Sequence, residues 1–176
     1  MTPDDLVVTP MGLRFQGRIW PCTVGRGGIV PGERKREGDG CTPAGVHGIV
    51  GCLYRPDRVV RAEVPGWAVP IRPRDLWCDD PESEDYNLMA RAPFGTSHER
   101  LWRADAMYDV VLVTDWNWPE AKAGRGSAIF VHIWRRPGAA TAGCVALART
   151  SLMAILPGIR HRTRLVVAEG LVRKPA

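Results

Sequence analysis

The chain has 176 residues, 45% of them apolar, which suits one globular domain with a single core and excludes a disordered composition. Its formal charge of +5 and pI of about 9.2 favour anionic partners, but the basic residues are scattered and carry no zinc-finger, RNP or phosphate-loop pattern, so no nucleic-acid partner is expected. No apolar stretch approaches the roughly 20 residues that span a bilayer, and the start MTPDDLVVTPMGLRF shows no secretory leader.

Along the chain, short apolar runs alternate with 15 prolines and 19 glycines, the punctuation of strands joined by turns. Strands are expected at Leu6–Thr9, Leu13–Phe15, Ile19–Val24, Val46–Leu53 and Val59–Arg61. Residues 65–105 then change character, rich in Pro, Trp, Asp and Glu with poor periodicity. A stretch of that kind within a domain tends to be functional, so it is expected to form a lid or substrate wall and not a second domain. A short helix is expected near Ser97–Ala104, followed by strands at Tyr108–Asp115 and Ser127–Trp134. The β-branched run from Tyr108 fits a pleated sheet. Leu152, Ile155 and Leu156 have helical spacing, and Pro157-Gly158 stops a helix over Thr150–Leu156. A last strand is expected at Arg164–Ala168. The expectation is one mainly-β domain over residues 1–176 with a few short helices.

The segment from Gly126 to Ala146 carries the chemistry. A strand delivers His132, Pro137-Gly138 turns the chain, and Thr141-Ala142-Gly143-Cys144 presents a thiol beside a glycine. A free thiol with a pKa of about 8.5 is mostly protonated at neutral pH, and a neighbouring imidazole can take its proton. Gly143 lets backbone approach closely, so the N–H groups of Ala142, Gly143 and Cys144 could meet an oxyanion. Taken alone, the pair is as compatible with a packed cysteine and a hydrogen-bonded strand histidine. Of the other cysteines, Cys22, Cys41, Cys52 and Cys78, none forms a C-x-x-C pair, so neither a structural zinc nor any other cofactor is expected.

Five ordered blocks go further. The Thr-x-Gly-Cys-Val-Ala string downstream of a strand histidine resembles the active-site motif of the L,D-transpeptidases (YkuD-type), in their small-domain branch. Lys35-Arg-Glu37-Gly38-Asp39-Gly40-Cys-Thr42-Pro43-Ala-Gly45 resembles that branch's K-x-E-G-D-G-x-T-P-x-G block. Trp77-Cys78-Asp79-Asp80-Pro81 with Tyr86-Asn87 is similar to its W-C-D-D-P…Y-N segment, and Glu99 to Asp109 and Asp115-Trp-Asn117 resemble the blocks that follow. Two departures stand out. Ala142 and Ala146 occupy places where the commoner motif has a histidine and an arginine or asparagine.

The resemblance implies a β-sandwich or sheet domain that acts as a monomer, in the periplasm or cell envelope, on peptidoglycan stem peptides. It makes Cys144 the nucleophile and His132 its base, in 3-3 or 1-3 cross-linking through a thioester. Tyr86, Arg103, Asp105 and Tyr108 have polar tips in the resembling blocks and are candidate substrate-binding residues. Arg103, Arg135 or Arg136 could replace the missing motif cation. Asp39, Thr42 and Gly45 are read as loop-shaping residues. His98 is a rival base, while His47 and His161 look incidental. L,D-carboxypeptidase or other cysteine amidase activity, and a non-catalytic wall-binding module, are the competing readings.

Overall fold

The computed structural model describes residues 1–169, so residues 170–176 of the expected domain lie outside the described residues. The chain opens with β1 (Leu6–Thr9), β2 (Gly12–Phe15), β3 (Arg18–Trp20) and β4 (Cys22–Thr23). Two short strands, β5 (Ile29–Val30) and β6 (Thr42–Pro43), precede the long β7 (Gly45–Tyr54). The 65–105 segment supplies β8 (Val69–Pro70), β9 (Asp75–Cys78), β10 (Met89–Arg91) and β11 (His98–Arg100). Then come β12 (Val110–Thr114), β13 (Phe130–Ile133), β14 (Val145–Leu147), α1 (Arg149–Ile155), the single α-helix among the described residues, and β15 (Arg164–Val167). The fold is mainly β, as expected.

Ten strands form one sheet in the order β3-β2-β1-β15-β7-β12-β13-β14-β4, with β8 added to β7. The expected strand Ile19–Val24 is broken by Pro21, which has no N–H to give to a ladder. Its halves β3 and β4 stand at opposite ends of the pairing order although one residue separates them. The sheet therefore curls back on itself. Inside the curl lie Leu6, Leu13, Ile49, Leu112, Val131, Val145, Leu147 and Leu165, closed off by Leu152 and Ile155 of α1.

Strand β12 is buried along its whole length. Val110 and Leu112 point into the curl, whereas Val111 and Val113 belong to a second cluster on the outer face. That double burial explains why its sequence is a continuous apolar run and not an alternating one. The outer cluster is completed by Trp77 and Leu101, so the three-stranded sheet β10-β9-β11 covers the outside of β12 and β13.

Two expectations fail. Val59–Arg61 is no strand: the Val59 N–H bonds the Arg55 carbonyl at 2.9 Å in a turn, and a 3₁₀ turn follows at Arg61–Glu63. Val59 is apolar because it fills the core from that turn, at 2% exposure. Ser97–Ala104 is no helix, because His98–Arg100 pairs antiparallel with β9. Ser127–Trp134 shortens to β13 because Gly126 and Ala128 have φ of 95° and 51°, which no strand residue adopts.

Candidate active site

Strands β13 and β14 are parallel neighbours, with Val131 opposite Val145 and His132 opposite Ala146. Alternation along a strand does the rest. Val131, Ile133, Val145 and Leu147 enter the inner core, so His132 and Ala146 face outward, and Cys144 joins the outer cluster with Phe130, Trp77 and Tyr108. Cys144 and His132 thus occupy one face of adjacent strands, two residues apart along them.

The turn before the thiol is tied at both ends. The Thr141 hydroxyl donates to the Cys144 carbonyl at 2.6 Å and accepts the Gly143 N–H at 3.1 Å. Gly143 has φ of 146°, and a Cβ there would lie 2.9 Å from the Cys41 carbonyl oxygen. Only glycine fits. Thr42 reaches across to donate to the Gly143 carbonyl at 2.7 Å, and itself accepts the Gly25 N–H at 2.8 Å. Beneath Thr42, Asp39 accepts the Cys41 N–H at 2.8 Å and the ammonium of Lys35 at 2.6 Å. Lys35 is 2% exposed, a burial tolerated because its charge is paired. The Lys35–Thr42 block is therefore a buttress for the nucleophile turn, in line with the loop-shaping role expected of Asp39 and Thr42.

A second buttress holds the opposite side. The Asn87 carbonyl oxygen accepts Trp77 Nε1–H at 3.1 Å and the Ala128 N–H at 2.9 Å. Its amide nitrogen donates to the carbonyls of Trp116 and Asn117 at 3.0 and 2.9 Å. These bonds hold Ala128 in its left-handed conformation, and the Ala128 carbonyl accepts the Cys144 thiol proton at 3.0 Å. Nothing in the sequence singles out Ala128. Tyr86 belongs to the same framework and not to the cleft wall. Its hydroxyl donates to Glu37 at 2.6 Å and accepts the Gly126 N–H at 3.0 Å, while Ser127 donates to the same carboxylate at 2.7 Å. Tyr86, expected to bind substrate, lies outside the cleft lining, with its hydroxyl donating and accepting inside the protein.

Burial sets the charge state of the pair. Desolvation pushes the Cys144 thiol up to about 12, with the nearby Glu99 adding to the shift. It pulls His132 down to about 4. Both groups are neutral at rest. The His132 Nδ1 lies 2.8 Å from the Ile133 carbonyl. A carbonyl only accepts, so Nδ1 carries the proton and the Nε2 lone pair is the basic site. The Tyr108 ring stands edge-on to the imidazole, with centroids 5.3 Å apart.

Cys144 and His132 open into a cleft of about 670 Å³. Thr141 and Ala142 line it, as do Arg103, Arg135, Arg136, Tyr108 and His98. Asp105 stands behind the wall: it holds Arg103 through two bonds of 2.8 and 2.7 Å, and Arg103 lies over the Tyr108 ring at 5.3 Å. Ala146 is opposite His132 and fully buried, so the motif position that commonly carries a cation is closed here. The rival base His98 lies in the same cleft, its Nδ1 2.7 Å from the Thr96 carbonyl. His47 is buried against Pro43 and Trp116, and His161 packs on Trp67; neither lines the cleft. All five cysteines are free. Sequence reading passed over Glu99, which lines the cleft and accepts a hydrogen bond from Tyr108.

Comparison with known families agrees with this architecture. The family model of the L,D-transpeptidase catalytic domain (YkuD) matches residues 12–167. Neither the search among curated proteins nor that among solved structures found a match.

Proposed function

The chain belongs to the L,D-transpeptidase catalytic-domain family, and from that premise we propose that it cross-links peptidoglycan stem peptides through a thioester on Cys144. The observation that carries the reading is the shared wall of one cleft: Cys144 and His132 on adjacent strands, with the His132 tautomer fixed so that Nε2 is the base.

Because thiol and imidazole are both neutral at rest, attack and proton transfer are coupled. The thiol turns its proton from the Ala128 carbonyl to His132 Nε2 as sulfur attacks the carbonyl carbon of an L-configured donor residue. The developing oxyanion meets the N–H groups of Ala142 and Cys144, since Thr141 already holds that of Gly143. His132 then protonates the leaving amine, and the thioester remains. An acceptor amine in its place gives a cross-link; water gives carboxypeptidase activity. Arg103 and Arg135 serve the carboxylates of the donor, with Asp105 and Tyr108 fixing Arg103. The substrate makes the periplasm or cell envelope the site of action.

Incubation with purified muropeptides and mass spectrometry tests this. The expected result is an acyl adduct on Cys144 and cross-linked dimers of the 3-3 or 1-3 type. Unchanged substrate with the wild-type protein, or full activity in Cys144→Ala, overturns the proposal. Trimmed stems without dimers would move the reading to hydrolysis, and sacculus binding without turnover would move it to a wall-binding module.

A further inference from the structure

Among the described residues, five arginines line the cleft, Arg26, Arg100, Arg103, Arg135 and Arg136, with a single acid, Glu99. Such a wall suits a donor that presents carboxylates. It repels the other partner of an acyl transfer to an amine, which arrives as an ammonium. Glu99 is placed to answer that repulsion. On β11 it lies opposite Trp77 of β9, and directly paired residues share a face of a sheet. The Trp77 ring stands against Phe130 of the main sheet with centroids 4.9 Å apart, so Glu99 is turned to the same side, toward Cys144. The Tyr108 hydroxyl donates to Glu99 Oε2, and among the described residues Oε1 has no hydrogen-bond partner. The guanidinium of Arg103 is already held by Asp105. Burial, with Asp79 and Glu37 nearby, raises the Glu99 pKa, while Tyr108 and Arg103 lower it. An approaching cation relieves the strain on its ionised form.

Resting on the transpeptidase reading, we propose that Glu99 binds the ammonium of the acceptor stem's diamino acid and so favours aminolysis of the thioester over hydrolysis. The bound ammonium gives one proton to His132, and the freed amine attacks the thioester carbon. The C–N bond forms, the C–S bond breaks, the departing sulfur takes the proton from His132, and the remaining excess proton on nitrogen leaves to water.

Glu99→Gln tests the charge alone, because the amide oxygen still accepts the Tyr108 hydrogen bond. The protein is acylated with a donor stem peptide and then partitioned between water and two acceptors, a diamino-acid stem peptide and hydroxylamine, which is uncharged at neutral pH. Acylation is expected to hold or quicken, because the lost charge opposed the Cys144 thiolate. The partition is read after acylation, and the aminolysis-to-hydrolysis ratio with the cationic acceptor is expected to fall about tenfold or more, the worth of one charge-assisted hydrogen bond. The ratio with hydroxylamine is expected to stay unchanged. An unaltered ratio with the stem peptide overturns the proposal, and so does an equal loss with both acceptors, which marks a structural role. No thioester in the wild-type protein overturns the functional reading and this proposal together; a thioester whose partition ignores Glu99 overturns this proposal alone.

Discussion

A neutral thiol beside a neutral imidazole leaves a thermodynamic signature that Cys144→Ala isolates. In the unfolded chain the Cys144 thiol ionises at its ordinary value of 9.0, and in the folded protein burial holds it protonated up to about 12. Above pH 9 the unfolded state therefore releases a proton that the folded state keeps, and the wild type loses stability that the alanine variant never had. At pH 10.5 the unfolded thiol is about 1.5 pH units past its pKa, which corresponds to about 2 kcal/mol. Urea denaturation of both proteins at pH 7.5 and 10.5 measures it. The wild-type-minus-variant difference should fall by about that amount, and the other four cysteines cancel because both proteins share them. His132 mirrors this on the acid side. Its folded pKa is lowered from 6.5 to about 4, so its contribution is intact above pH 6.5 and is lost as pH falls toward 4, by about 3 kcal/mol in full. A resting thiolate–imidazolium pair would invert the Cys144 result: the difference would rise between about pH 6 and 9 and then level off. That inversion, or a flat difference, would refute the neutral pair.

Three substitutions probe the framework. Gly143→Ala forces a Cβ to within 2.9 Å of the Cys41 carbonyl at a φ of 146°; backbone strain and crowding together should cost about 2–4 kcal/mol, read as a lower Tm, and should abolish the acyl adduct. Asn87→Ala removes four hydrogen bonds from a buried side chain. Calorimetry should show a loss of about 2–4 kcal/mol, with acylation slowed as well because the Ala128 carbonyl is released, and a variant as stable as wild type would contradict the buttress. Tyr86→Phe should cost about 1–2 kcal/mol in denaturant titration and leave the donor KM unchanged; a raised KM with unchanged stability would assign Tyr86 to the substrate instead.

Much of the architecture could be read from residue order, because it rests on local signals. Val110–Thr114 announces itself as a doubly buried strand, and Leu152, Ile155 and Leu156 fix α1. What could not be read depends on partners distant in sequence. Ile19–Val24 looks like one strand until its two halves find neighbours at opposite ends of the sheet. His98–Arg100 is a strand only because β9 waits for it, and Val59 is apolar for the core and not for a ladder. Of the residues that line the cleft, Cys144 and His132 were visible from their motif, and Tyr108, Arg103 and Arg135 from charge and order. For Tyr86 the bond to Glu37 was not legible, because a polar tip does not reveal which partner it finds. Glu99 was overlooked for the complementary reason: on its own strand it resembles any surface acid, and only its pairing with Trp77 turns it inward.

The two alanines in the nucleophile motif acquire a physical meaning in that framework. Ala146 lies opposite His132 and is fully buried, between the ladders of β13 and β4. A long cation at that position would have to force its way out past the imidazole. Positive charge reaches the thiol instead from the rim: Arg26 from the segment after β4, Arg103 from the end of the 65–105 segment, Arg135 and Arg136 from the loop after β13. A charge on the strand is rigid and aimed at one point, whereas charges on four loop positions spread around a mouth. On the transpeptidase reading proposed above, a donor is therefore oriented less by a single carboxylate locked beside the nucleophile than by a field around the opening. On the proposed reading, Glu99, the acid that lines this cleft, discriminates between partners more than any one of the arginines does. It follows that single arginine variants at Arg26, Arg135 or Arg136 should each weaken donor binding only modestly, roughly two- to fivefold in KM at low salt, and lose most of that effect at high ionic strength. A single arginine whose removal abolishes acylation at all salt concentrations would show instead that one side chain does the work of the missing motif cation.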